Sequence, residues 1–326
     1  IDRTMFFLDV ERLAKEYGKI FTVFIPVPFV VIADYETLKD AFVVKGDDFI
    51  GRPNDKTTDV FSYCKEGGVI NTNGENWREQ RKNALSILRD FGMGRNLMEQ
   101  KVQQSIEEYL RHLDSIQDKS RVDLQQPIQL MIGNIICEIM FGFRYEYDDC
   151  RELMDFIDQF RKLLKDLTES VLIFFALRIP FIERIPVFGH YALGKHIDNM
   201  DKRTTANAES DSEPTCFVDV YRQRMPHNRW LTEDQLHACC FDFFLAGAET
   251  TTTTLRWAML YIAKHQDVQD RLREEVRSVV GTSRLPSMSD KASMPYTSAT
   301  VLEIQRYANV LASNVIRRTV VDTCVN

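Results

Sequence analysis

From Tyr35 onward apolar residues recur at intervals of three and four, the spacing that gathers them on one face of a helix. This pattern predicts helices over 35–45, 75–90, 95–115, 124–141, 150–177, 215–225, 232–264, 266–280 and 296–311, after a short amphipathic one over 5–17 that Gly18 stops. Only Ile20 to Ile32 (IFTVFIPVPFVVI) departs from it, as two β-branched runs joined at a proline-marked turn, the signature of a hairpin. The fold class that follows is mainly α with a small N-terminal β-sheet, in a single domain over residues 1–326. No fixed-period repeat is present, which excludes helical solenoids. Asp201 to Pro214 (DKRTTANAESDSEP) is polar and reads as a mobile surface connection. Ile179 to Gly189 (IPFIERIPVFG) alternates apolar residues with prolines, so it is either a loop packed on the core or an exposed apolar lip at a membrane surface.

Charge narrows the function classes. The 326 residues hold 41 Lys and Arg against 48 Asp and Glu, a net of -7, which provides no general basic footprint for nucleic acid. Seven cysteines, odd in number and without a CxxC pair, argue against a disulfide framework or a zinc ribbon and are read as mostly reduced. The most apolar run, Val171 to Leu177 (VLIFFAL), is far short of the ~20 residues a spanning helix needs. The chain opens on Ile1 and stops at Asn326 after an alternating, strand-like run, so it is expected to be incomplete at both ends.

Three constellations can carry chemistry. In the long helix from Thr232 to Lys264, Thr232 and Gln235 have capping-box spacing, yet the middle reads LAGAETTTTT from Leu245 to Thr254. Gly costs about 1 kcal/mol and each Thr up to ~0.7 kcal/mol relative to Ala, so roughly 3 to 4 kcal/mol of helix propensity is given up there. One reading is that the threonines bond back to carbonyls and bend a surface helix beside a solvated Glu249. The other is that Gly247 leaves a groove for a ligand while Glu249 and Thr250 form an acid and alcohol pair that relays protons. Second, Glu303 and Arg306 make an i, i+3 pair in an apolar setting, where a charge pair needs close geometry. Third, Trp77 and Arg81, at i, i+4, offer an indole N–H and a guanidinium to an acidic group, or else pack as a Trp with an Arg stem beside it.

The order of these motifs resembles the cytochrome P450 family of heme-thiolate monooxygenases. FIGRP (Phe49 to Pro53), NGENWREQR (Asn73 to Arg81), LRDFGMGR (Leu88 to Arg95), LAGAETTTTTLRW (Leu245 to Trp257), HQDVQDRLREE (His265 to Glu275) and EIQRY (Glu303 to Tyr307) are similar to the animal microsomal type, especially family 2. The resemblance implies a triangular helical domain holding heme b. Trp77, Arg81 and Arg317 would contact the heme propionates, Ala246 and Gly247 would form the oxygen groove, and Glu249 with Thr250 would relay protons. Glu303 and Arg306 would be the buried structural pair, and Val69, Ile70, Phe243, Ala246, Val310 and Val315 would line the substrate cavity. It further implies a lipophilic small-molecule substrate, dioxygen, electrons from an NADPH-dependent reductase, and the cytoplasmic face of the endoplasmic reticulum membrane. The family's axial ligand is a Cys in a Phe-x2-Gly-x3-Cys-x-Gly loop, which these residues do not contain, and Cys324 lacks the surrounding Phe and Gly. No metal ligand is therefore expected in this chain, and a monooxygenase whose 326-residue form is inactive stands beside a naturally shortened, non-catalytic heme-binding or interaction protein.

Overall fold

The computed structural model describes residues 6–24, 28–53, 64, 66–92, 96–169, 190–207 and 214–325. Helix α1 (Phe6–Tyr17) leads into an antiparallel pair, β1 (Ile20–Phe24) and β2 (Pro28–Ile32), in which Ile20 lies opposite Ile32 and Phe24 opposite Pro28. Helix α2 (Tyr35–Lys39) starts on Asp34, whose carboxylate accepts the Thr37 N–H, and runs on into a π-helical turn, Asp40–Val44. There follow α3 (Gly74–Asp90), α4 (Asn96–Ser115), α5 (Gln125–Phe141), α6 (Arg151–Glu169), α7 (His190–Asn207) and α8 (Phe217–Arg224). The chain continues through α9 (Glu233–Lys264), α10 (Gln266–Val279) and α11 (Pro295–Ala308).

Helix α5 is apolar on almost every side, and it is accordingly the interior helix, with α4, α6, α7, α8 and α9 packed around it. Its approach to α9 depends on Gly247, where a Cβ would come within 2.8 Å of the Ile136 methyl. Phe156 of α6 meets Phe244 of α9 edge-on at 4.9 Å, and Leu130, Cys137, Phe141, Leu153 and Tyr221 complete a core with almost no exposure. A buried amide keeps this interior polar-satisfied: Asn134 donates to the Tyr145 carbonyl and accepts its N–H, both at 2.8 Å. No described helix is long and apolar enough to cross a membrane.

Four expectations need correction. Residues 201–207, read as a surface connection, are the last two turns of α7, and Asp201 and Thr204 are buried. Their polarity misled because it is satisfied internally: Thr204 donates to the Phe141 carbonyl at 2.8 Å and Asp201 is bonded by Arg222 and His237. At the start of α9 the Thr232 hydroxyl caps the Gln235 N–H at 3.3 Å, but Gln235 does not reciprocate, because its side chain is drawn to the loop at Glu66 and Gly68. The Glu303–Arg306 pair forms with two 2.7 Å bonds, yet its side chains are 61% and 67% exposed, so it is not buried. Of the apolar neighbours read from sequence, Val301, Leu302 and Tyr307 are also exposed and Ile304 alone is buried, so the pair sits on a surface. Helix α11 ends earlier than expected, where Asn309 adopts φ 41°. The segment Ile179 to Gly189 and the run Val171 to Leu177 lie outside the described residues.

Water screens an exposed pair of this kind. Arg306→Gln is accordingly expected to leave the urea unfolding midpoint of this chain unchanged. A clear drop would show that the pair carries structural weight.

Candidate active site

The site begins with the loop 66–73 between Cys64 and α3, whose backbone polar groups are satisfied by side chains from three directions. From α9, Asp242 accepts the N–H groups of Val69 and Ile70 at 2.7 and 2.9 Å, and Gln235 accepts from Gly68 while donating to Glu66. From α3, the Trp77 indole donates to the Val69 carbonyl at 3.2 Å and Asn76 donates to Glu66. From the other flank, the Arg52 Nε donates to the Ile70 carbonyl at 2.7 Å, and its backbone N–H donates to Asn73. Gly68, at φ 76°, lies directly against the Asp242 carboxylate and Ala238 of α9, an approach that only glycine permits. Asp242 is wholly interior, and burial pushes its carboxyl up to about 7 despite the two N–H bonds that oppose the shift.

Helix α3 is held in place by Gln80, which is fully buried: its amide donates to the Trp230 carbonyl at 2.6 Å and accepts from the Tyr221 hydroxyl at 2.7 Å. That anchoring presents Trp77 and Arg81 together, with the guanidinium 5.7 Å from the indole centroid. Across from them the chain after α11 returns to residues 48–52. Arg318 donates to the Gly51 carbonyl at 2.8 Å and Val320 to Asp48 at 2.9 Å, and a Cβ at Gly51 would crowd the Arg318 carbonyl at 2.7 Å. This pairing sets Arg317 beside Arg52, with the Arg317 guanidinium 5.3 Å from the Phe42 ring.

The result is a cluster of three guanidiniums, Arg52, Arg81 and Arg317, and none of them pairs with a carboxylate among the described residues. Arg52 is 8% exposed, its Nη1 is buried without a hydrogen-bond partner, and so is the Nε of Arg317. Burial and the charges of Arg317 and Arg81 push the Arg52 guanidinium down to about 10, and burial together with Arg81 also depresses Arg317. Like charges gathered with idle donors are costly unless an anion completes them. The acidic edge of a heme, with its two carboxylates, fits that donor set.

The acid and alcohol of α9 have definite partners. Glu249 is not solvated: its Oε1 accepts two 3.0 Å bonds from Arg161 of α6 and a longer one from Thr253. Gln129 of α5, with its amide oxygen turned toward Arg161, steadies the same guanidinium. The Thr250 hydroxyl donates to the Ala246 carbonyl at 2.6 Å and Thr254 to Thr250 at 2.8 Å, the back-bonding that a threonine run predicts. Gly247 does not cut the groove expected of it, because Ile136 takes its missing side-chain space. Ala246, one turn before Thr250, is exposed.

Among the described residues, the expected cavity-lining positions differ widely in burial. Phe243 packs edge-on against Phe217 in the core at 5.6 Å, Val69, Ile70 and Val310 are half-buried, and Val315 is 48% exposed. Two open depressions of about 420 and 270 Å³ lie elsewhere, against Arg273 and Val276 on α10 and against His112 and Tyr147. Trp77 also differs from expectation, since its indole N–H is spent on Val69. A possible cation cluster, Asp201, Glu233 and His237, is filled by Arg222, which bonds both carboxylates at 2.7 to 3.0 Å. None of the seven cysteines forms a disulfide; Cys324 is exposed, and Lys45 donates to its carbonyl at 2.6 Å.

Sequence reasoning did not assign Arg52, Asp242, Arg161 or Gln80. For Asp242 a signal was present, a lone acid inside the apolar run Cys239 to Leu245, and for Arg52 its place in FIGRP. Arg161 and Gln80 act through contacts 88 and 141 positions away, which no local pattern announces.

The helices packed around an interior α5 thus carry an acid-alcohol turn on α9 and a guanidinium cluster that pairs with no carboxylate among the described residues, a donor set that an acidic group would complete. The chain belongs to the cytochrome P450 family, whose profile matches residues 1–326. It is similar to cytochrome P450 2H2 of Gallus gallus, 31% identical over 328 residues that cover 96% of this chain and 65% of the relative. Cytochrome P450 2F2 of Rattus norvegicus is 33% identical, with 97% and 66% covered, and cytochrome P450 2C21 of Canis lupus familiaris is 33% identical, with 94% and 64% covered. The chain thus spans about 65% of the length of the curated relatives it matches.

Proposed function

We propose that the whole protein is a heme-dependent monooxygenase that inserts one atom of dioxygen into a lipophilic small molecule, with electrons from an NADPH-dependent reductase at the cytoplasmic face of the endoplasmic reticulum. The observation that carries this reading is the pair of buried, idle guanidinium nitrogens on Arg52 and Arg317 in a chain of the P450 family. Heme, when bound, supplies the iron at which dioxygen is activated. The residues of this chain supply the setting. Arg81 and Arg317 bind the carboxylates as charge-assisted donors, and Trp77 steadies Arg81 through its ring while fixing Val69 through its N–H. On α9 the Thr250 hydroxyl keeps its proton aimed at the Ala246 carbonyl, available for transfer when that bond turns outward. Glu249, one residue before it, is held by Arg161, which sets where the carboxylate stands and limits its access to the alcohol.

The test uses the full-length protein with heme and reductase. Thr250→Ala is expected to lower product formed per dioxygen consumed by about tenfold or more, with hydrogen peroxide rising in its place. Coupling that stays at the wild-type level across several lipophilic substrates would remove Thr250 from the proton path.

A further inference from the structure

We propose that His237 is the pin of a latch that fastens α7 to the first turns of α9, closed while its ring is charged and loosened as rising pH discharges it. The inference is independent of heme. Both ring nitrogens of His237 face carboxylates of α7: Nε2 lies 3.0 Å from Asp201 Oδ2, and Nδ1 lies 3.3 Å from Asp198 Oδ1. A neutral imidazole has a single N–H and must turn its bare nitrogen on one of these acids, whereas the imidazolium offers a proton to each. The arrangement therefore selects the charged ring. On α9 this ring stands between Gln235 and Asp242, the side chains that hold the loop 66–73.

The other charged groups around the ring belong to the same network. Arg222 of α8 donates to Asp201 at 2.7 and 2.9 Å and to Glu233, the first residue of α9, at 2.9 and 3.0 Å, so it fills the space between those acids. Cys240, one turn along α9, is buried with its thiol pushed well above its ordinary value, and it adds no charge. Burial alone would discharge His237, but the bond to Asp201 and the charges of Asp201, Asp198 and Glu233 outweigh it and raise the ring above the ordinary histidine value. For Asp201 burial likewise opposes the charge, yet the bonds from His237 and Arg222 hold its carboxyl below the usual range. The histidine contribution is thus complete below ~6.5, the ordinary value, and is lost as the pH climbs through the higher folded-state value. Asp201 stays charged across that window and keeps Arg222, while Ile197 and Met200 of α7 remain buried. The latch loosens α7 without releasing it from the core.

The experiment follows the full-length protein by mass spectrometry. Deuterium exchange at the imidazole C2 position, read against pH on a peptide whose one histidine is His237, reports the titration of that ring. Amide exchange over 197–204 reports how firmly α7 is held. The C2 midpoint is expected above ~6.5 in the unchanged protein and closer to it in Asp198→Asn. Between pH 6 and 8.5 the α7 amides are expected to gain about threefold or more in exchange rate beyond the rise seen in an unfolded peptide. His237→Gln carries no charge at either pH, so it should show the faster exchange already at pH 6 and no further step. Asp198→Asn serves if the glutamine variant fails to fold, since the Asp198 side chain is 36% exposed; it should shrink the step as it lowers the midpoint. A midpoint at or below the ordinary histidine value would overturn the latch. So would an α7 step that is absent from the unchanged protein, or one that persists at full size in either variant.

Discussion

As pH rises from 4 to 7.5, the protein is expected to lose up to ~4 kcal/mol of stability relative to its Asp242→Asn variant, read by urea unfolding of the two proteins at matched pH. The sign comes from burial. The interior carboxyl titrates at about 7, whereas a carboxylate in the unfolded chain titrates near ~3.9. The fold thus favours the protonated form: the contribution is complete below about pH 4 and is lost as the pH passes through 7. Asparagine keeps an acceptor for the N–H groups of Val69 and Ile70 without a charge to desolvate, so its curve lacks this step. Parallel curves for the two proteins would mean that water or loop movement relieves Asp242.

The second large effect is expected at Gly68. Alanine there must hold φ near 76°, and its methyl would overlap the Asp242 carboxylate. The left-handed backbone costs about 1–2 kcal/mol, and displacing the carboxylate leaves two loop N–H groups unpaired at about 1–3 kcal/mol each, so a loss of at least ~3 kcal/mol is expected. Gly46→Ala is the control, because nothing lies within 4 Å of a Cβ there and its φ is not positive. A Gly68→Ala variant as stable as that control would show that the loop can leave α9 freely.

These residues mark where the sequence could be read and where it could not. Helices α3, α5, α9 and α10 begin and end within a residue or so of their predicted bounds, because each places apolar residues at helical spacing toward its neighbours, only half-buried on α10, and periodicity reports such faces directly. The later turns of α7 were hidden because their buried positions are Asp201 and Thr204, polar residues whose partners come from α5, α8 and α9. Spacing placed Glu303 against Arg306 but carried no information on burial, which depends on what packs over them. The same holds at the site. Trp77, Arg81, Glu249 and Thr250 were marked by local motifs, while the roles of Arg52, Arg161 and Asp242 arise from contacts between distant segments. The resemblance to a family named the chemistry, and the geometry reassigned individual donors, moving the Trp77 N–H to Val69 and the space at Gly247 to Ile136.

The exposed apolar side chains along α11 and the residues after it govern how the chain behaves in a test tube. Leu302, Tyr307, Leu311, Ile316 and Val321 lie near one another in sequence and are all more than half exposed, and apolar patches of this kind seek other surfaces. A preparation of this chain should bind a hydrophobic reporter dye strongly, travel late on an alkyl column and self-associate as salt is raised. Mild detergent, rather than a change of pH, is the condition that would keep it dispersed.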